Sequence, residues 1–168
     1  MDFIEILLGA MQDPITYSII FFIYVILAAV ILPIPVEIGL FNSSMHPLLL
    51  IGILAIGKGV GASIAFEIGS KIRTVIKKRS FSVSLTVKIV AWCERFVIKY
   101  GYYGLFIIMS TPLMIDSASL YLFSLLNAKY GRKQALTRQG FILINIAAGA
   151  VRGAIIIVVA SLFQIRLV

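Results

Sequence analysis

The chain has 168 residues, of which 61% are hydrophobic and 13% charged, and its mean hydropathy is +1.06. A soluble domain is about half apolar, so this composition excludes an ordinary soluble enzyme or binding module and describes an integral membrane protein with room for four to six segments of about 20 residues. The net charge of +8 is grouped beside apolar stretches, which reads as membrane topology rather than a nucleic-acid surface.

Residues 3–11 are a short apolar segment flanked by Asp2 and Asp13, with Glu5 inside it. They lack the basic start of a signal peptide. Pro14 suits the first turn of a helix, and residues 15–32 form a membrane helix ended or kinked by Pro33 and Pro35. Glu37 follows at once, and the stretch from Ile38 to Ser44 carries no basic residue. Pro47 starts a second helix that runs to about Ser70. Gly57, Gly59, Gly61 and Ala62 give it a small-residue face for close helix packing. Lys58 lies near its middle and Glu67 near its basic end, where it would snorkel to the interface.

Six basic residues lie from Lys71 to Lys88, and residues 71–83 read as a basic loop. From 84 to 100, Leu85, Ile89, Trp92, Phe96 and Tyr100 mark one helical face, with Lys88, Arg95 and Lys99 away from it. Such a helix lies in the membrane interface, anchored by Trp92, or packs on the bundle as an ordinary cytoplasmic helix. Two arms of about ten residues then flank Pro112 and Asp116, each about 15 Å long, half the bilayer core. Basic residues stand on both sides, including the four from Lys129 to Arg138, as expected for a re-entrant hairpin. Residues from Phe141 to Phe163 span fully and contain Asn145, Arg152 and a pair of packing glycines, Gly149 and Gly153.

The two broken segments share one feature: Pro33 precedes Glu37 by four residues, and Pro112 precedes Asp116 by four. A carboxylate at membrane depth costs about 2.5–3.5 kcal/mol on insertion scales and faces protein or water. A proline there frees a carbonyl that also needs a partner. Placing the loops 71–88 and 129–138 in the cytoplasm puts Asn42 outside. A hairpin followed by a spanning helix then occurs twice, in opposite senses. The expected fold is all-α: two re-entrant hairpins, each followed by a spanning helix, as an inverted repeat with an interfacial helix between. Repeat 1 covers about 15–70 and repeat 2 about 101–163, in a single membrane domain.

In this order and spacing the motifs resemble the DedA family, also called the VTT or SNARE-associated Golgi protein family. Pro33-Ile34-Pro35-Val36-Glu37 resembles its proline-x-proline-x-glutamate hairpin. Gly57 and Gly61, followed by Phe66-Glu67-Ile68-Gly69-Ser70-Lys71, are similar to its glycine-rich helix with an aromatic-x-x-glycine-x-basic end. Tyr100-Gly101, Gly104-Leu105-Phe106 and Pro112 resemble the start of its second hairpin, and Asn145 and Gly149 match its last part. The likeness covers about residues 25–163. It implies movement of lipids or of polyprenyl-phosphate carriers, by a scramblase or flippase, with coupling to protons or sodium in some members. One departure stands out. The family usually carries arginines before and after the second hairpin's proline, whereas here Ser110 and Thr111 precede Pro112 and Asp116 follows it. Arg152 or Lys58 would have to supply that positive charge.

Glu37, Asp116, Lys58 and Arg152 are therefore the candidate substrate- or ion-binding residues, with Pro33, Pro35 and Pro112 forming the hairpins. The competing reading makes the four charges a structural lock. Ser117, Ser119 and Ser124 are expected to satisfy freed carbonyls. His46 reads as a surface residue at a helix start. One cysteine, Cys93, and one histidine allow no internal disulfide and no Cys/His metal centre, so no cofactor or enzymatic chemistry is expected. Three classes of function remain: a lipid transporter, a small-ion or small-cation exporter, and a non-transporting membrane organiser.

Overall fold

The computed structural model describes residues 9–10, 13–31, 35–42, 45–78, 97, 99–112, 116–125, 127, 129–130, 133–134 and 136–163. They form helices α1 (Pro14–Val30), α2 (Pro47–Lys78), α3 (99–110), α4 (Asp116–Leu125) and α5 (Arg138–Leu162). A 3-10 helix, Val36–Leu40, lies between α1 and α2, and a two-residue antiparallel ladder, β1 (Lys129–Tyr130) with β2 (Lys133–Gln134), lies between α4 and α5. The expected all-α architecture holds apart from that short ladder. Pro33 and residues 84–96, with Trp92 and Cys93, lie outside the described residues.

Among the described residues two helices are long and apolar enough to cross a membrane: Pro47–Ile72, with 26 residues, and Arg138–Leu162, with 25. At 1.5 Å per residue each is close to 40 Å long, roughly the bilayer with its interfaces. Helix α1 is apolar but shorter, at 17 residues. Its start is set by Asp13, whose carboxylate accepts from Thr16 Oγ1 and from Ile15 N, and by Pro14 in the first turn. Those bonds, the Thr16 bond foremost, hold the Asp13 carboxyl below its usual value. His46, exposed, caps α2 by accepting from Leu48 N through Nδ1 at 3.3 Å. Thr137 Oγ1 caps α5, accepting from Gly140 N.

Contacts between helices fix their directions. Gly153 faces Ile51 and Leu54, Gly149 faces Ala55, and Gly59 faces Ile146. The rings of Phe66 and Phe141 meet at 5.1 Å, and Arg138 reaches Ser63 and Glu67. Residue numbers rise on α2 as they fall on α5, so the two long helices are antiparallel along about 24 Å, or 16 residues. Glu67, expected to snorkel, pairs with Arg138 at 2.6 Å, with both side chains half-exposed. Against α1 the order is the reverse: Gly57 meets Val25 and Gly61 meets Ala29, so α1 and α2 run parallel.

Between those parallel helices the chain must come back. Tyr24 Oη donates to Pro35 O at 3.0 Å and Tyr17 Oη to Gly39 O at 2.9 Å, so residues 35–39 descend beside α1 toward its start. A Cβ on Gly39 would collide with the Phe21 ring, so only glycine allows this approach. A second return occurs at the other end. Gly140 and Thr137 meet Tyr102 near the start of α3, Lys58 meets Met109 near its end, and Gly69 meets Ser124 near the end of α4. Asn127 and Leu136 then exchange two 2.8 Å hydrogen bonds.

Three details differ from the sequence expectation. Helix α2 continues to Lys78, so Lys71–Lys78 is helical rather than loop. Nothing between Ser70 and Lys78 stops a helix, and lysine and arginine are good helix formers. The α2 glycines do not share one face: Gly57 and Gly61 pack on α1, and Gly59 packs on α5. A two-residue step turns about 200° around a helix, which sends neighbouring glycines to opposite sides. The ladder β1–β2 lies within 129–138, which was expected as a basic loop.

Glycine packing yields a direct test. A Cβ on Gly61 collides with the Ala29 Cβ, which has no flexible end to move aside, whereas one on Gly52 meets nothing within 4 Å. Gly61→Ala is expected to cost about 1–3 kcal/mol, and Gly52→Ala to be neutral or to add up to about 1 kcal/mol. Thermal unfolding in detergent separates them, and equal melting temperatures would contradict this packing.

Candidate functional site

The four candidate charges meet. Arg152 comes from α5, Lys58 from α2, Glu37 from the 3-10 helix and Asp116 from the first residue of α4. All are buried, with Lys58 and Arg152 1% exposed and Glu37 and Asp116 6%. Arg152 Nε donates to Glu37 Oε1 at 3.0 Å, and Nη2 bonds the same oxygen. Arg152 Nη1 donates to Asp116 Oδ1 at 2.7 Å. Lys58 Nζ lies 3.1 Å from that Asp116 oxygen and donates to Met109 O at 3.2 Å. With all four ionised the cluster carries two negative and two positive charges and is neutral.

Its position follows from the helical repeat. Leu50, Leu54, Lys58 and Ala62 follow one another at four-residue steps on α2, and Ala148, Arg152 and Ile156 do so on α5. Leu50, Leu54 and Ile156 belong to one apolar core with α1 and the 3-10 helix. Ala62 and Ala148 belong to a second, with α3 and α4. The charges occupy the layer between. Gly149 leaves the space in which the Lys58 stem runs: a Cβ there would lie 3.0 Å from Lys58 Cδ.

Where the chain breaks, side chains from elsewhere satisfy the backbone. Helix α3 ends at Ser110, before Pro112; Thr111 N still bonds Ile107 O and Ile108 O, and the carbonyls after them have passed the end of the helical ladder. Met109 O takes Lys58, and Ile107 O takes Thr111 Oγ1 at 2.8 Å. At the end of α1, Val30 O takes the Tyr121 hydroxyl of α4 at 2.9 Å. Serines were expected in this role. Ser124 instead bonds Tyr121 O in its own helix, and tyrosines 17, 24 and 121 hold the carbonyls of the first break. Only the seven-residue spacing of Tyr17 and Tyr24, two turns along one face, could have signalled this.

Ser110 Oγ and Asn145 Oδ1 are buried and have no hydrogen-bond partner among the described residues. No family model, curated protein or solved structure matches this chain.

Arg152 contacts both acids, so its loss strands two carboxylates. Arg152→Met is expected to destabilise by about 3–5 kcal/mol, and Lys58→Met by less, because Arg152 still holds Asp116. Tyr121→Phe leaves Val30 O without its donor and should cost about 1–3 kcal/mol. Thermal melts rank the three, and an Arg152→Met protein as stable as wild type would contradict the central place of the guanidinium.

Proposed function

We propose that this chain is a membrane transporter of the DedA type, moving lipids or lipid-linked phosphates across the bilayer. The observation that carries this reading is the neutral buried cluster at which two broken segments and two long helices meet. Ionisable groups at membrane depth mark substrate or ion pathways by default. A proton on either acid leaves one net positive charge, which a phosphate head group neutralises. Arginine is suited to that role, because its planar fork matches phosphate as well as carboxylate. A sodium ion at the same carboxylates does the equivalent work. Membrane lipids, polyprenyl phosphate among them, are the proposed substrates, with a proton or sodium ion as the coupling partner.

The accompanying architecture is an inverted repeat of two re-entrant hairpins, each followed by a spanning helix. Two observations support it. The first return descends from the end of α1, and the second begins and ends at the Arg138 end of the long helices. Each base also reaches the acid of the other half: Lys58 of the first long helix meets Asp116, and Arg152 of the second meets Glu37 as well as Asp116. We place the protein as multi-pass in the inner or plasma membrane, with loops 71–88 and 129–138 cytoplasmic. The Arg138–Glu67 pair supports a common side for both.

One observation favours a second reading. Near-complete burial of Lys58 and Arg152 suits a sealed path for a small cation better than a lipid-open groove. Reconstitution decides between them, by measuring fluorescent-lipid accessibility and ion flux in the same vesicles. Under the lipid reading, Glu37→Gln and Asp116→Asn each slow lipid movement by about tenfold or more, while the melting temperature stays well above that of Arg152→Met because each leaves Arg152 its other acid. Large losses of stability in both variants would indicate a lock. Full lipid movement in the double variant would remove the carboxylates from the mechanism, and ion flux without lipid movement would favour the exporter.

Topology is tested separately. In a Cys93→Ser background, His46→Cys and Lys71→Cys, both at exposed positions, are expected to label from opposite faces of the membrane, with position 71 cytoplasmic. Labelling from one face would overturn the arrangement.

A further inference from the structure

The two cations in the cluster are held differently. Arg152 is gripped by both acids through three of its N–H donors. Lys58 is a point charge on a flexible four-carbon stem, with three donors and two acceptors, Asp116 Oδ1 and Met109 O. Two residues close to its contacts along the chain carry buried oxygens without partners among the described residues, Ser110 Oγ and Asn145 Oδ1. Ser110 follows Met109, whose carbonyl Lys58 already bonds. Asn145 lies one turn from Gly149, against which the Lys58 stem packs, a separation of about 5–6 Å along α5. Asn145, Gly149 and Arg152, at steps of four and three, share one face.

Asn145 is 0% exposed. Its Nδ2 donates to Phe141 O at 2.8 Å, one turn back on its own helix, which aims Oδ1 away from that carbonyl. An amide oxygen left without a donor in an apolar core is costly. That cost is removed if a donor arrives in another state of the protein.

We propose that Asn145 Oδ1, together with Ser110 Oγ, is a second seat for the Lys58 ammonium. Lys58 occupies it when Asp116 takes a proton or binds a cation and releases the salt bridge. The second seat keeps the ammonium hydrogen-bonded in both states, so Asp116 can exchange its partner without stranding a buried charge. Asn145 is thus a positioning residue acting through Lys58. This deepens the transport reading, on which the exchange at Asp116 rests. The charged groups facing Lys58 are Asp116 on α4, Arg152 on α5 and Glu37 in the 3-10 helix. Tyr24 on α1 faces Glu37.

The test reads Asp116 directly and does not require transport. Infrared titration of the purified protein follows the protonated-carboxyl band that Asp116→Asn removes. The seat stabilises the state in which Asp116 is protonated and has released Lys58. Asn145→Leu removes the seat and should lower the midpoint by about one unit or more, the equivalent of one hydrogen bond to a charge. Its melting temperature should hold or rise, because an orphan oxygen is replaced by a methyl group. Asn145→Ser, which keeps an acceptor, should bring the midpoint back toward wild type. An unchanged midpoint in Asn145→Leu, failure of that variant to fold, or no Asp116 titration in wild type between about pH 4 and 10 overturns the inference. Lipid movement measured in parallel reports on the lipid reading alone: a shifted midpoint without lipid movement retains the seat and rejects the lipid transporter.

Discussion

A guanidinium buried between two carboxylates is the constraint on which the rest of this molecule depends. Removing a charged group from water costs several kcal/mol even after relaxation, and breaking such a pair leaves the surviving partner uncompensated. Arg152, at 1% exposure, therefore requires Glu37 and Asp116 where they are. Neither acid lies on the helix that carries Arg152, nor on the one that carries Lys58. Each stands at the start of a short helical segment that begins just after a break in the chain. That placement has its own electrostatic benefit, since the first turn of a helix favours negative charge. The breaks that bring the acids inward expose carbonyls, and the same neighbourhood satisfies them. Lys58 serves an acid and Met109 O together, and Tyr121 closes Val30 O from the other half of the chain.

The apolar packing is arranged around that layer. Leu54 and Ala62 lie one turn on either side of Lys58, and Ile156 and Ala148 one turn on either side of Arg152, each pair divided between two cores. Glycines set the spacing. Gly149 and Gly153 bring α5 close to α2, and Gly149 in particular leaves room for the lysine stem. A larger side chain there would push the cation away from its acid, so a packing residue and a charged residue are coupled at one contact.

Much of this was legible in the sequence, for a physical reason. A charge inside an apolar run is expensive enough to stand out without comparison to other chains, so Lys58, Arg152, Glu37 and Asp116 could be named together. Their partners could not. Which acid meets which base depends on the antiparallel register of α2 and α5, and that register is set by shape, as at Gly153 against Ile51. The tyrosines carry no such signal, because an aromatic residue in a membrane segment is ordinary and its hydroxyl's partner is invisible until the chain folds back. Basic residues mark topology and so suggest a loop over Lys71–Lys78, yet charge does not prevent a helix from continuing. The glycines of α2 suggest one face, although residues two apart point to opposite sides.

The crossed pairing limits how the proposed transporter can move. Apolar contacts are non-directional and tolerate sliding, whereas hydrogen bonds to a buried guanidinium fail within a fraction of an ångström to an ångström or so. Any displacement of the 3-10 helix or α4 against α5 must therefore be resisted first at Arg152. The two acids are not equivalent in this respect. Glu37 meets Arg152 alone of the two bases, through Nε and Nη2. Asp116 is shared with Lys58 through a single oxygen. Neutralising Asp116 loosens both bases together, while neutralising Glu37 loosens one and leaves the lysine in place. The first event releases the charged contacts of α4 with both long helices. The second can free only the segment that returns beside α1. A cycle that opens the two ends of the bundle in turn needs this kind of asymmetry, because identical locks would release together and open a continuous path.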